Sequence, residues 1–184
     1  ILFELGRYEE AQRVLEHTVS LDPDSAHVIY YLGLVLERLD AEHATEAFAR
    51  ANALDPHHYP LPLEISTQDF EKAVATAIDN LPRSIRDYIA DVPVLVEDLP
   101  SRELIATENV SPQILGLFVG SPRTEASATS QALDLDRVMI FVKNHTKVCR
   151  DHEELIEQLQ ITVRHEIGHY LGLDEEDMER LGLA

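Results

Sequence analysis

Thr162-Val163-Arg164-His165-Glu166-Ile167-Gly168-His169-Tyr170-Leu171-Gly172 lies near the end of the 184-residue chain. Leu155, Ile156, Leu159, Val163 and Ile167 recur at helical spacing through and ahead of it, which predicts one long helix from about Asp151 to Leu171. Residues four apart share a helix face, so His165 and His169 stand one turn apart and can each point a ring nitrogen at a single ion about 2 Å away. Glu166 is turned about 100° from His165 around the helix and can flank a water without ligating the metal. A zinc ion lowers the pKa of such a water towards about 7, and a carboxylate beside it can take the proton. The apolar flanks place these polar groups in a core helix, where His and Glu without partners are costly to bury. Gly172 falls where the helix would end through a left-handed residue.

A catalytic zinc needs a third protein ligand and one open position. Only 15 residues follow His169, too few for the arrangement of thermolysin-like enzymes, where a Glu on a separate downstream helix completes the site. The His-Glu-x-x-His-x-x-Gly-x-x-ligand spacing of the metzincins uses the glycine to reverse the chain. Counted from His165, it puts the third ligand at Glu175. Asp174 is the rival, and it is also suited to cap a short final helix from Glu175 to Leu181. Acids at a helix start are stabilising with no metal at all. The expected site is therefore His165, His169 and Glu175 (rival Asp174) on zinc, with Glu166 as general base. Tyr170, His145 and Arg164 are the candidate oxyanion partners.

Upstream of this helix the pattern is mixed. Ser66 with Asp69 three positions later signals a helix start, and Phe70, Ala73, Val74, Ala77, Ile78 and Leu81 continue it. Pro82 opens a second short helical stretch, Ile85 to Ile89. Val92 to Val96, Ile114 to Gly120 and Arg137 to Val142 read as strands, with 114–119 as the edge along which an extended peptide could lie. Ser121 to Ala132, poor in bulky apolar residues, reads as an exposed loop. A helix, then strands, then a long helix predict an α+β domain over residues 66–184.

The first 56 residues are different. Leu21-Asp22-Pro23 and Leu54-Asp55-Pro56 lie 33 residues apart, each with an Ala twelve positions before its Pro (Ala11, Ala44) and a bulky apolar residue eight before (Leu15, Phe48). Leu32-Gly33 sits between them at the expected helix crossing. The second copy is one residue short around Leu39-Asp40-Ala41. This pattern resembles the tetratricopeptide repeat, and the resemblance implies helical pairs that pack as part of an array or brace and could take a protein partner. His57-His58-Tyr59-Pro60-Leu61-Pro62 breaks the periodicity, so a linker is expected over 57–65. Ile1 already reads as helical, which places the natural N-terminus upstream.

The second domain resembles the small bacterial zincin-like metallopeptidases. The resemblance runs from about Phe70 to the C-terminus. It rests on Val94-Leu95-Val96-Glu97-Asp98-Leu99-Pro100, on Ile114-Leu115-Gly116-Leu117-Phe118-Val119-Gly120, and on Thr162 to His169 followed by Gly172-Leu173-Asp174-Glu175. It implies a compact α+β domain with a short sheet and an active-site helix. It also implies two His ligands (His165, His169), a catalytic Glu (Glu166), an acidic third ligand (Glu175) and a peptide or protein substrate. Met178 is the only Met after the motif, too close to Glu175 for the Met-containing turn of the metzincins proper.

Composition narrows the alternatives. A net charge of −19 is unsuited to nucleic acid or to anionic membrane surfaces. Cys149 is the only cysteine, which excludes an internal disulfide and favours a cytoplasmic setting. A reading from another class is a zinc-binding interaction module with little or no turnover, recruited through the helical repeat.

Overall fold

Seven helices and three strands follow one another along the described residues: α1 (Tyr8–Leu21), α2 (Ala26–Leu39), α3 (Ala41–Leu54), α4 (Thr67–Asp79), β1 (Val94–Glu97), α5 (Arg102–Glu108), β2 (Gly116–Val119), β3 (Arg137–Phe141), α6 (Val142–Val148) and α7 (His152–Tyr170). The structure, a computed structural model, describes residues 1–39, 41–83, 86, 92–120, 136–173 and 176. Two compact units emerge, Ile1–Leu63 with Pro100–Pro112, and Glu64–Leu99 with Gln113–Ala184. The expected short helix at 175–181 and the loop at 121–132 lie outside the described residues apart from Glu176, as does 85–89 apart from Arg86. Among the described residues, no helix is long and apolar enough to cross a membrane.

In the first unit, Ile1–Leu5 make a single turn, closed by Gly6 at φ 67° with Arg7 N–H on the Leu2 carbonyl. Ala11, Ala44 and Phe48 are buried, and Leu15 is partly buried against them. Gly33 lets α2 and α3 approach: a Cβ there would stand 2.8 Å from Cε1 of Phe48. Tyr8, fully buried, has the guanidinium carbons of Arg38 and Arg102 at 5.7 and 4.9 Å from its ring centroid.

Helix α5 packs with this unit and has no counterpart in the expectations above. Its start is conventional, with Ser101 Oγ accepting the Leu104 N–H at 3.1 Å, and Asn109 ends it in the left-handed region at φ 52°. Arg38 grips both ends of the excursion, donating to the Pro100 carbonyl at 2.6 Å and to the Pro112 carbonyl. Seven residues with one buried side chain, Ile105, are too few to show a hydrophobic period.

The second unit is built on a sheet of order β1-β3-β2. β1 runs parallel to β3 and β2 antiparallel to it, with Val96 opposite Ile140 and Phe118 opposite Val138. The central strand is buried from Val138 to Phe141, which is why it reads as an unbroken apolar run. α4 is capped by Ser66, whose Oγ accepts the Asp69 N–H at 3.1 Å, as the sequence anticipates. It packs on α7, and Phe70, Val74, Leu155, Leu159, Val163 and Ile167 fill the core. The third strand ends at Phe141 rather than Val142, because α6 begins there without a side-chain cap. α6 buries Asn144, His145 and Thr146, and such a polar inner face carries no apolar signature.

Candidate metal centre

Helix α7 carries the motif between two well-made ends. Asp151 accepts the Glu154 N–H at 2.9 Å as its N-cap. At the other end, Gly172 takes φ 76°, its N–H reaches the His169 carbonyl at 2.9 Å, and Leu173 N–H reaches the Gly168 carbonyl at 3.0 Å. Gly172 thus follows the end of α7 in the left-handed region, as the sequence anticipates.

One turn apart, the half-buried His165 and His169 bring their Nε2 atoms to 3.1 Å, with the rings at 85° to each other. Two nitrogens bound tetrahedrally to zinc at about 2.0–2.1 Å are separated by about 3.3 Å. The pair therefore stands close to chelating separation, and its donor chemistry suits zinc. Among the described residues, no group of three or more His, Cys, Asp or Glu side chains comes together. Glu175 and Asp174, the two acids expected to add the third ligand, lie outside the described residues.

Glu166 is 6% exposed, on the side of α7 that faces β2. Its Oε2 accepts the backbone N–H of Phe118 at 2.7 Å. Leu115 O accepts Phe141 N–H from β3, so the alternation of an antiparallel ladder turns the Phe118 amide outward, at the sheet edge. A buried carboxylate needs such a donor. Gly116 permits the approach: a Cβ on it would lie 2.6 Å from Thr162 Cγ2 and 3.2 Å from Glu166 Cγ.

Behind this contact sits His145, fully buried. Its Nδ1 faces the Phe141 carbonyl at 3.0 Å and so carries the proton, which leaves Nε2 towards the Thr162 hydroxyl at 3.2 Å. Burial lowers its pKa from the ordinary histidine value to about 4, against the smaller raising effect of the Phe141 carbonyl. His145 is thus a neutral core residue rather than an oxyanion partner. Of the other two candidates, Tyr170 has its ring 5.3 Å from that of Phe118, and Arg164 donates to Gln160 at 3.3 Å.

Residues 89–183 match the model of the zincin-like metallopeptidase family. The chain belongs to that family. No curated protein matches the chain. Membership points to zinc-dependent peptidase chemistry in general, and the zincin-like match spans both strands that approach α7 as well as α7 itself.

The Phe118 amide, Gly116 and Thr162 have no place in the expected site. A backbone donor leaves no trace in residue type. An isolated glycine at a strand position is the signal that could have found Gly116, since it marks close approach of another element.

Proposed function

We propose that the protein is a zinc-dependent peptidase in which His165 and His169 hold the metal and Glu166 is the general base. The third ligand in this reading is Glu175, with Asp174 as its rival. The observation that carries the reading is the convergence of the two Nε2 atoms at 3.1 Å on the helix that also presents Glu166 to the β2 edge.

When bound, zinc would polarise the scissile carbonyl and make a water acidic near neutral pH. The two histidines would offer Nε2 lone pairs and keep their ring protons on Nδ1. Glu166, with Oε2 on the Phe118 amide, would use Oε1 to take the water's proton and deliver it to the leaving amine nitrogen. Among the described residues β2 is an edge strand, which supports an extended peptide substrate alongside it, although the outward amide of Phe118 is already engaged by Glu166.

Cleavage of a fluorogenic peptide library, with Glu166→Ala as control, tests this. Zinc-dependent cleavage by wild type that disappears in the variant is expected. Cleavage that survives the substitution sinks the assigned mechanism.

A second reading, a zinc-holding interaction module recruited through tetratricopeptide-like helices, is favoured by the exposed Val14 and Leu21 on α1. It predicts stoichiometric zinc without cleavage of any library peptide.

A further inference from the structure

The position of Glu166 depends on how closely α7 approaches β2, and that distance is set by two small groups, the bare Cα of Gly116 and the methyl of Thr162. A Cβ on Gly116 would meet Thr162 Cγ2 at 2.6 Å, Glu166 Cγ at 3.2 Å and the Met139 carbonyl oxygen at 3.2 Å. Carbon atoms in contact sit at about 3.5–4.0 Å, so any side chain at this position must displace a neighbour. Two of the three do not yield freely. Met139 belongs to the central strand, in register with Leu117. Thr162 donates its hydroxyl to the Gln158 carbonyl at 2.9 Å, and His145 Nε2 lies 3.2 Å from that hydroxyl oxygen. His145 is in turn fixed on the Phe141 carbonyl, with the Phe70 ring 5.8 Å from its own. The remaining neighbour is Glu166 itself.

We propose that Gly116 and Thr162, with His145 behind them, are positioning residues for Glu166. Together they fix the spacing at which its Oε2 reaches the outward amide of Phe118, and so hold the carboxylate in one rotamer. This rests on the reading of Glu166 as the general base. A glutamate side chain free to rotate gives up rotamer entropy each time it is ordered. An anchor already in place removes that cost from the reaction. Gly116 has no side chain to offer a substrate, and Thr162 and His145 are buried, so the three act through Glu166.

The test is amide hydrogen exchange at Phe118 in the full chain, read beside the kinetics of the fastest-cleaved library peptide. In wild type the Phe118 amide is expected to be protected, and Glu166→Ala should remove the protection. Gly116→Ala should also remove it and lower kcat at least tenfold with KM changed less than twofold. Adding Thr162→Ser to Gly116→Ala takes away the methyl and keeps the hydroxyl, and should restore part of both protection and kcat. Wild-type protection in Gly116→Ala, no recovery in the double variant, or an effect on KM alone would overturn the inference. Should Gly116→Ala not fold, the folded double variant is compared directly with wild type, and an amide as unprotected as in Glu166→Ala overturns it. The expected protection pattern without cleavage of any peptide removes the peptidase reading and keeps the positioning. Cleavage by a wild type whose Phe118 amide is unprotected does the reverse.

Discussion

The two units differ in what they bury beside their apolar cores. Every buried polar or charged side chain among the described residues, Asn144, His145, Thr146, Thr162 and Glu166, belongs to the second unit. The helical unit buries alanines, aliphatics and aromatics such as Ala11, Ile29, Val35, Phe48 and Tyr8. Apolar packing asks only for volume and shape, so it tolerates exchange and responds little to pH. Buried polar groups must each find a partner in the right direction, which costs stability when unmet but fixes geometry when met. The second unit therefore holds the Glu166 carboxylate and the His145 imidazole in defined places, whereas the interior of the helical unit rests on packing.

Substitutions should separate the two regimes. The largest effect is expected from Glu166→Gln, which should lower kcat by about 10²–10⁴-fold while zinc stoichiometry is retained. Steady-state kinetics with the fastest-cleaved library peptide measure it, and a change of less than tenfold would remove Glu166 from the proton transfer.

Next comes the pH dependence from His145. Its folded pKa, about 4, lies below the ordinary value of 6.5, so the unfolded chain takes up the proton first as pH falls. The stability it confers is complete above about pH 6.5 and drains away as pH falls towards 4, by about 3 kcal/mol in all. Urea unfolding of wild type and His145→Gln at a series of pH values isolates this difference, since every other titrating group is common to both. Parallel curves would show that burial does not hold His145 neutral.

A smaller effect belongs to the helical unit. Arg38→Ala frees the carbonyls of Pro100 and Pro112 and should cost about 2 kcal/mol in thermal unfolding, with no pH dependence between pH 7 and 5. Smallest is loss of a cap: Ser66→Ala and Ser101→Ala should each cost about 1 kcal/mol. Thermal melts of the two cap variants at a single pH check this, and equal melting temperatures for variant and wild type would show the caps to be idle.

The same contrast explains which features were legible in the sequence. α7 announces itself through apolar spacing, an Asp cap and a terminal glycine, and the central strand through an unbroken apolar run. Leu32-Gly33 is expected at a helix crossing, and Gly33 lies against Phe48 there. α6 was not legible, because the face it buries is Asn144, His145 and Thr146, and polar burial has no periodic mark. α5 is too short to show a period, although Ser101 and Asn109 mark its ends. In the candidate centre, the paired histidines and Glu166 follow from their spacing, whereas the Phe118 amide that orients the carboxylate is backbone and invisible to any motif. His145 reads in the sequence as an available imidazole, whereas it is buried against the Phe141 carbonyl and the Thr162 hydroxyl.

Calorimetric titration of metal-free protein with zinc tests the central claim most directly. One zinc per chain is predicted for wild type, with affinity lowered roughly a hundredfold or more in His165→Ala and in His169→Ala. Wild type that takes up no stoichiometric zinc, or binds it equally well without either histidine, would contradict the account.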